Sequence, residues 1–142
     1  MSWDSYISSL IDQSKNSSGD AQIDCACIIA VDSGQKLTSD DNTKAFKITN
    51  DEAVNIAKCF RSKNFSRFVA CGVRAEGLKY TYIRLREEND RLVLGKSRGE
   101  GSVTLQSSKT AVVVAHTKEG GDRILTNKAV ANVVEKMEFE GK

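Results

Sequence analysis

The chain has 142 residues, 39% apolar and 28% charged, with a formal net charge of +2. A chain of this length buries roughly 68–70% of its unfolded surface, so a core can form without staples, and the ordinary apolar content with small net charge excludes wholesale disorder. No run approaches the ~20 apolar residues of a membrane-spanning helix, and the absence of proline excludes polyproline linkers and slow prolyl steps in folding.

The start, Met1-Ser2-Trp3-Asp4, lacks the basic flank and apolar stretch of a secretion signal, so a compact intracellular domain spanning 1–142 is expected. Residues 2–14 predict a short amphipathic helix: Trp3, Tyr6, Ile7, Leu10 and Ile11 fall in one arc at 100° per residue, with Ser2 as candidate cap. Residues 23–31 read as a strand closed by Asp32-Ser33-Gly34. Thr49-Asn50-Asp51-Glu52 has capping-box spacing and opens a helix with apolar positions Ala53, Val54, Ile56, Ala57 and Phe60. Five strands are expected next, over 68–75, 78–86, 91–96, 103–106 and 110–116, each ended by a short turn that demands antiparallel neighbours. A polar loop over 118–123 precedes a final helix over 126–139, striped by Val130, Val133, Val134 and Met137, with Phe139 opposite the stripe. A strand apolar throughout, such as 111–115, needs cover on both faces. The expected architecture is therefore an α+β sandwich with an antiparallel sheet in the middle.

Cys25, Cys27, Cys59 and Cys71 come without a secretion signal and read as reduced thiols packed as small hydrophobes. Cys25 and Cys27 lie two apart, so a strand turns both to one side. A zinc site would need a second pair at ligand spacing, but Cys59 and Cys71 are isolated and His116 is the sole histidine; no metal and no cofactor are expected. The same lone imidazole argues against a nucleophile–base constellation, and no glycine loop has phosphate-cradling spacing before a helix. A binding module rather than an enzyme is expected.

Charge is segregated. Residues 1–52 hold nine acids and four lysines, net −5; residues 53–142 hold seventeen bases and ten acids, net +7. A basic excess over the last two-thirds suits an acidic protein surface or anionic headgroups. Dense basic tracts interleaved with aromatics are missing, so nucleic acid is not an expected partner.

Four segments in order, Ser2-Trp3-Asp4-Ser5-Tyr6-Ile7, Ala75 to Arg84, Ser108 to His116 with Lys118-Glu119-Gly120-Gly121, and Thr126-Asn127-Lys128-Ala129-Val130, make the chain resemble profilin, the family that binds monomeric actin. The resemblance implies a six- to seven-stranded antiparallel sheet with the N- and C-terminal helices on one face and short internal helices on the other. It implies a cytoplasmic, monomeric regulator of actin polymerisation and the cytoskeleton, binding actin 1:1 through Val69, Ala70, Tyr82, Arg84, Lys96, Arg98, Lys118, Gly120, Asn127 and Lys128. A cleft between the terminal helices would stack proline-rich ligands on aromatic rings, with Trp3, Tyr6, Leu37 and Met137 at the matching positions. Leu37 stands in place of a ring, and Lys136 where an aromatic or histidine is usual, so weakened polyproline binding is expected. Phosphoinositide headgroups at the membrane surface would meet Lys79, Arg84, Lys96, Arg98 and Lys128. Two other readings stay open: a PAS-like small-molecule sensor with an internal cavity, and a profilin-like scaffold without actin binding.

Overall fold

The computed structural model describes residues 3–83 and 92–142. The order of elements is α1 (Asp4–Gln13), β1 (Ile23–Ala30), α2 (Asn50–Ser62), α3 (Ser66–Cys71), β2 (Val73–Ala75), β3 (Leu78–Ile83), β4 (Leu92–Ser97), β5 (Gly101–Ser107), β6 (Ala111–Thr117) and α4 (Arg123–Phe139). The expected ends of two strands and the turn at 88–90 lie outside the described residues, as does the candidate cap Ser2. The cap position of α1 is held by Trp3, which makes no side-chain capping bond.

All six strands pair antiparallel in the order β1-β6-β5-β4-β3-β2. Successive residues of a strand point to opposite faces, so β6 supplies both cores. Ala111, Val113 and Ala115 meet Tyr6, Ile7 and Leu10 of α1 and Val130, Val133, Val134 and Met137 of α4. Val112 and Val114 face the other way, with Ile56 and Phe60 of α2, Phe68 of α3, and Val103, Leu105, Tyr80 and Val73. The sheet is thus clad on both sides, as an apolar central strand requires. The terminal helices lie against β1, β6 and β5 and stop there.

Helix α2 starts where the capping box places it. Thr49 Oγ1 accepts the Glu52 amide at 3.1 Å, and Glu52 Oε1 accepts the Thr49 amide at 2.9 Å. The same carboxylate also accepts the amides of Glu76 at 2.8 Å and Gly77 at 2.9 Å, pinning the β2–β3 turn to the helix start.

Two sequence expectations are corrected. Residues 68–75 form the short helix α3 and then β2, not one strand. The aromatic, β-branched composition favours a strand locally, but Phe68 turns inward to the rings of Phe60 and Phe65, centroids 6.4 and 6.0 Å away. Gly72, at φ +73°, then ends the helix, and a Cβ there would come within 2.8 Å of the Tyr80 carbonyl. Helix α4 begins at Arg123, earlier than expected, because Asp122 Oδ1 accepts the Ile124 amide at 2.9 Å and so caps it.

Candidate binding sites

On β3 and β4, pairing sets which side chains share a face. Thr81 lies opposite Lys96, Ile83 opposite Leu94, and Lys96 opposite Ser102. These positions point to the α4 side of the sheet, beyond the reach of α4. Thr81, Ile83, Lys96, Arg98, Gly99 and Glu119 line an open cleft of about 540 Å³ there. A second cleft continues past Lys96 to Lys118, Gly120 and Arg123. Lys79 has the same parity on β3, while its β2 partner Arg74, at the sheet edge, lines a separate cleft with Glu52, Asn55, Arg67 and Phe68 of α2 and α3.

The floor of this region is tied together. Glu119 Oε2 accepts the Gly101 amide at 2.7 Å, joining the loop before α4 to the β4–β5 turn. Gly101 permits that approach: at φ +82°, an added Cβ would lie 2.1 Å from the Thr117 carbonyl. Asn127 of α4 is bonded through Oδ1 to the Thr104 hydroxyl of β5 at 2.7 Å. Lys118 Nζ donates to Asp20 at 2.6 Å, so part of its charge is neutralised within the chain.

Of the residues anticipated for an actin face, Lys96, Arg98, Lys118 and Gly120 line the two joined clefts. Lys128 is exposed on α4, and Val69 (66% exposed) and Ala70 lie on the outer side of α3. Tyr82 does not join them. It lies opposite Gly95 and packs against the α2–α3 core, on the other face of the sheet. Arg84 lies outside the described residues. Thr81, Ile83 and Arg123 line the clefts and were missed, because strand alternation shows two faces without showing which one stays uncovered. Of the basic residues anticipated for phosphoinositides, Lys79, Lys96 and Arg98 follow the β3–β4 region, with Lys128 across on α4.

The second candidate site is the seam of α1 and α4. Trp3 and Tyr6 have ring centroids 5.9 Å apart at 55°. Trp3 is half-buried, but Tyr6 is 1% exposed and Met137 fully enclosed, so these two are core residues rather than an open platform. Leu37 packs against the same core. The Tyr6 hydroxyl donates to the Glu140 carboxylate and accepts from Lys142 Nζ at 3.0 Å. Burial, then the bond to Glu140, raises the Tyr6 pKa. Phe139, 93% exposed, points away and replaces no ring of the cleft.

A third cluster is invisible in the linear sequence. A bulge sets Asp24 and Cys25 of β1 together opposite His116 of β6, and their donor atoms lie within 4.8 Å of one another. His116 Nδ1 is 2.5 Å from Asp24 Oδ1, and Nε2 is 2.6 Å from the Glu100 carbonyl. Two ligands of one tetrahedral ion stand roughly 3.3 Å apart, so this spacing is a hydrogen bond rather than a metal site. Both ring nitrogens face acceptors, an arrangement only the imidazolium can satisfy. Burial opposes that charge, but the bonds to Asp24 and Glu100 outweigh it and raise the His116 pKa. The Cys25 thiol is pushed far up by burial and then by the Asp24 charge, and Cys27 chiefly by burial; both are neutral thiols.

The family model for profilin matches residues 1–141. A profilin of Clypeaster japonicus is 53% identical over 141 residues, covering 99% of each chain. This chain belongs to the profilin family. Among solved profilins, Acanthamoeba castellanii profilin IB has a TM-score of 0.78 at 20% identity, over 99% of this chain and 100% of that one. Two other profilin folds were solved with partners. One is LokiProfilin2 with rabbit actin, with a TM-score of 0.60 at 20% identity, over 82% and 84% of the chains. The other is mouse profilin IIa with a double repeat from the FH1 domain of mDia1, with a TM-score of 0.68 at 20% identity, over all of both chains. The six-stranded sheet clad by terminal helices on one face and short internal helices on the other is the arrangement the profilin resemblance implied. No helix of the described residues is long and apolar enough to cross a membrane.

Proposed function

We propose that this profilin binds monomeric actin one to one through the uncovered face of β3 and β4 and the start of α4, and so regulates actin polymerisation in the cytoplasm. The observation that carries the reading is the open, basic wall around Lys96, Arg98, Lys118 and Arg123, left bare because α4 stops over β5, in a chain half-identical to known profilins along its whole length. Thr81 and Ile83 supply small and apolar contacts at its centre, and Asn127 and Lys128 of α4 extend it, whereas Val69 and Ala70 lie on α3 across the sheet. The protein acts by binding alone. Capping one face of the actin monomer blocks addition at that face and leaves the other available. An anionic phosphoinositide headgroup would meet the same cations and compete with actin.

The α1–α4 seam holds proline-rich segments, weakly. Trp3 is its one half-open ring, and Tyr6 is covered.

Gel filtration of the protein with monomeric actin tests the main reading. A one-to-one complex at tens of micromolar is expected, weakened at least tenfold by Lys96→Glu combined with Lys128→Glu. Absence of a complex from the unaltered protein overturns it, and a complex indifferent to both reversals moves the site elsewhere.

A further inference from the structure

The side chain of Lys142 lies over the Trp3–Tyr6 pair and is part of what covers Tyr6. Its ammonium lies 5.2 Å from the centroid of the Trp3 ring and 5.1 Å from that of Tyr6, inside the ~6 Å range of cation–π attraction. It also donates to the Tyr6 hydroxyl at 3.0 Å, while that hydroxyl donates to Glu140. The backbone beneath is fixed independently. The Lys142 amide donates to the Met137 carbonyl at 2.8 Å, and its main-chain oxygen accepts from the Thr110 amide at 2.9 Å, the Thr110 hydroxyl at 2.8 Å and the Ser108 hydroxyl at 2.6 Å. The anchor therefore holds at the β5–β6 turn while the flexible four-carbon stem can swing off the rings.

From this geometry we infer that Lys142 is the specificity-determining residue of the α1–α4 seam, closing its aromatic pair to neutral proline-rich segments and favouring segments that carry a carboxylate beside the prolines. The inference rests on the seam being the proline-rich site. A neutral segment must displace the ammonium from two ring faces and a hydroxyl and offers it only neutral carbonyl oxygens in return. An acidic neighbour re-pairs the displaced charge, which the pinned backbone keeps at the rim.

Trp3 is the sole tryptophan, so its fluorescence reports binding directly. The test titrates the protein, Lys142→Ala and Lys142→Gln with a proline decamer and with the same decamer flanked by glutamates. The backbone anchors do not involve the side chain, so both variants are expected to melt with the unaltered protein. The unaltered protein should bind the acidic peptide about threefold tighter than the neutral one. Both variants should bind the neutral peptide about threefold tighter than the unaltered protein does, and should lose the acidic preference. Saturable binding with the same affinities in all three proteins overturns the role of Lys142 and leaves the seam as the site. No binding by any of them at millimolar peptide overturns both.

Discussion

His116 is the chain's one imidazole, and it ties three separate parts of the sheet together: β6 by its own backbone, β1 through Asp24, and the β4–β5 turn through the Glu100 carbonyl. The groups that face it are Asp24 and Cys25 from β1, Glu76 from the β2–β3 turn, Glu100 from the β4–β5 turn, and Tyr80 from β3, with the Phe46 ring 5.5 Å away. The charged neighbours are acids, so the folded protein binds the imidazole proton more tightly than the unfolded chain does. Stability from this group is therefore fully present below its unfolded pKa near 6.5 and lost as pH rises through the raised folded value. Asp24 has the opposite sense. Burial works against its charge, but the bond to His116 lowers its pKa, so its contribution is lost only as pH falls through that lowered value. Urea denaturation across pH 6 to 9 should show a decline in stability for the unaltered protein that His116→Gln abolishes, with the variant about 1 kcal/mol less stable at pH 6. Parallel pH profiles for the two proteins would show that His116 does not carry the decline.

At the scale of elements, the carboxylate of Glu52 does two jobs. It completes the capping box of α2 and, through the Glu76 and Gly77 amides, fixes the β2–β3 turn, where Glu76 sits at the left-handed φ of +49°. Glu52→Ala removes three acceptor contacts and should cost about 2 kcal/mol, with a fall in Tm of several degrees. Glu52→Gln, which keeps one carbonyl acceptor, should fall between. An alanine variant as stable as the parent would show that the turn holds itself. The first half of this arrangement was legible in the sequence, because a capping box is a local pattern of four residues. The second half was not, since nothing within residues 49–52 points to a turn twenty-four positions on. The same limit explains α3: its Phe-Val-Ala-Cys run has strand composition, and only contact with Phe60 and Phe65 from elsewhere makes it helical. It also explains Tyr82. Alternation in β3 shows two faces, but the pairing of Thr81 with Lys96 decides which face meets the cleft, and that register is set between strands.

Across the whole molecule, the segregation of charge along the chain becomes a segregation in space. The acidic first third contributes β1 at one end of the sheet, while Arg74, Lys79 and Lys96 sit on β2, β3 and β4 at the other. Several acids of the first third are paired, Asp12 with Lys15 and Asp40 with Lys36 nearby in the chain, Asp20 with Lys118 and Asp24 with His116 across it. Among the described residues, neither Lys96 nor Arg98 has such a partner. With the Glu119 carboxylate in both clefts and Asp20 on Lys118, the positive field of the wall comes from Lys96, Arg98 and Arg123, and on the proposed reading it acts before contact to steer an acidic partner. Charges at such a rim govern the encounter more than the lifetime of the complex. Stopped-flow association with monomeric actin should slow several-fold between about 0.05 and 0.2 M salt, as the Debye length shortens below the span of the wall. Lys96→Glu with Arg98→Glu should cut the association rate about tenfold while changing the dissociation rate much less. An association rate indifferent to salt and to both reversals would mean that apolar contacts around Ile83 bring the partners together without help from the field.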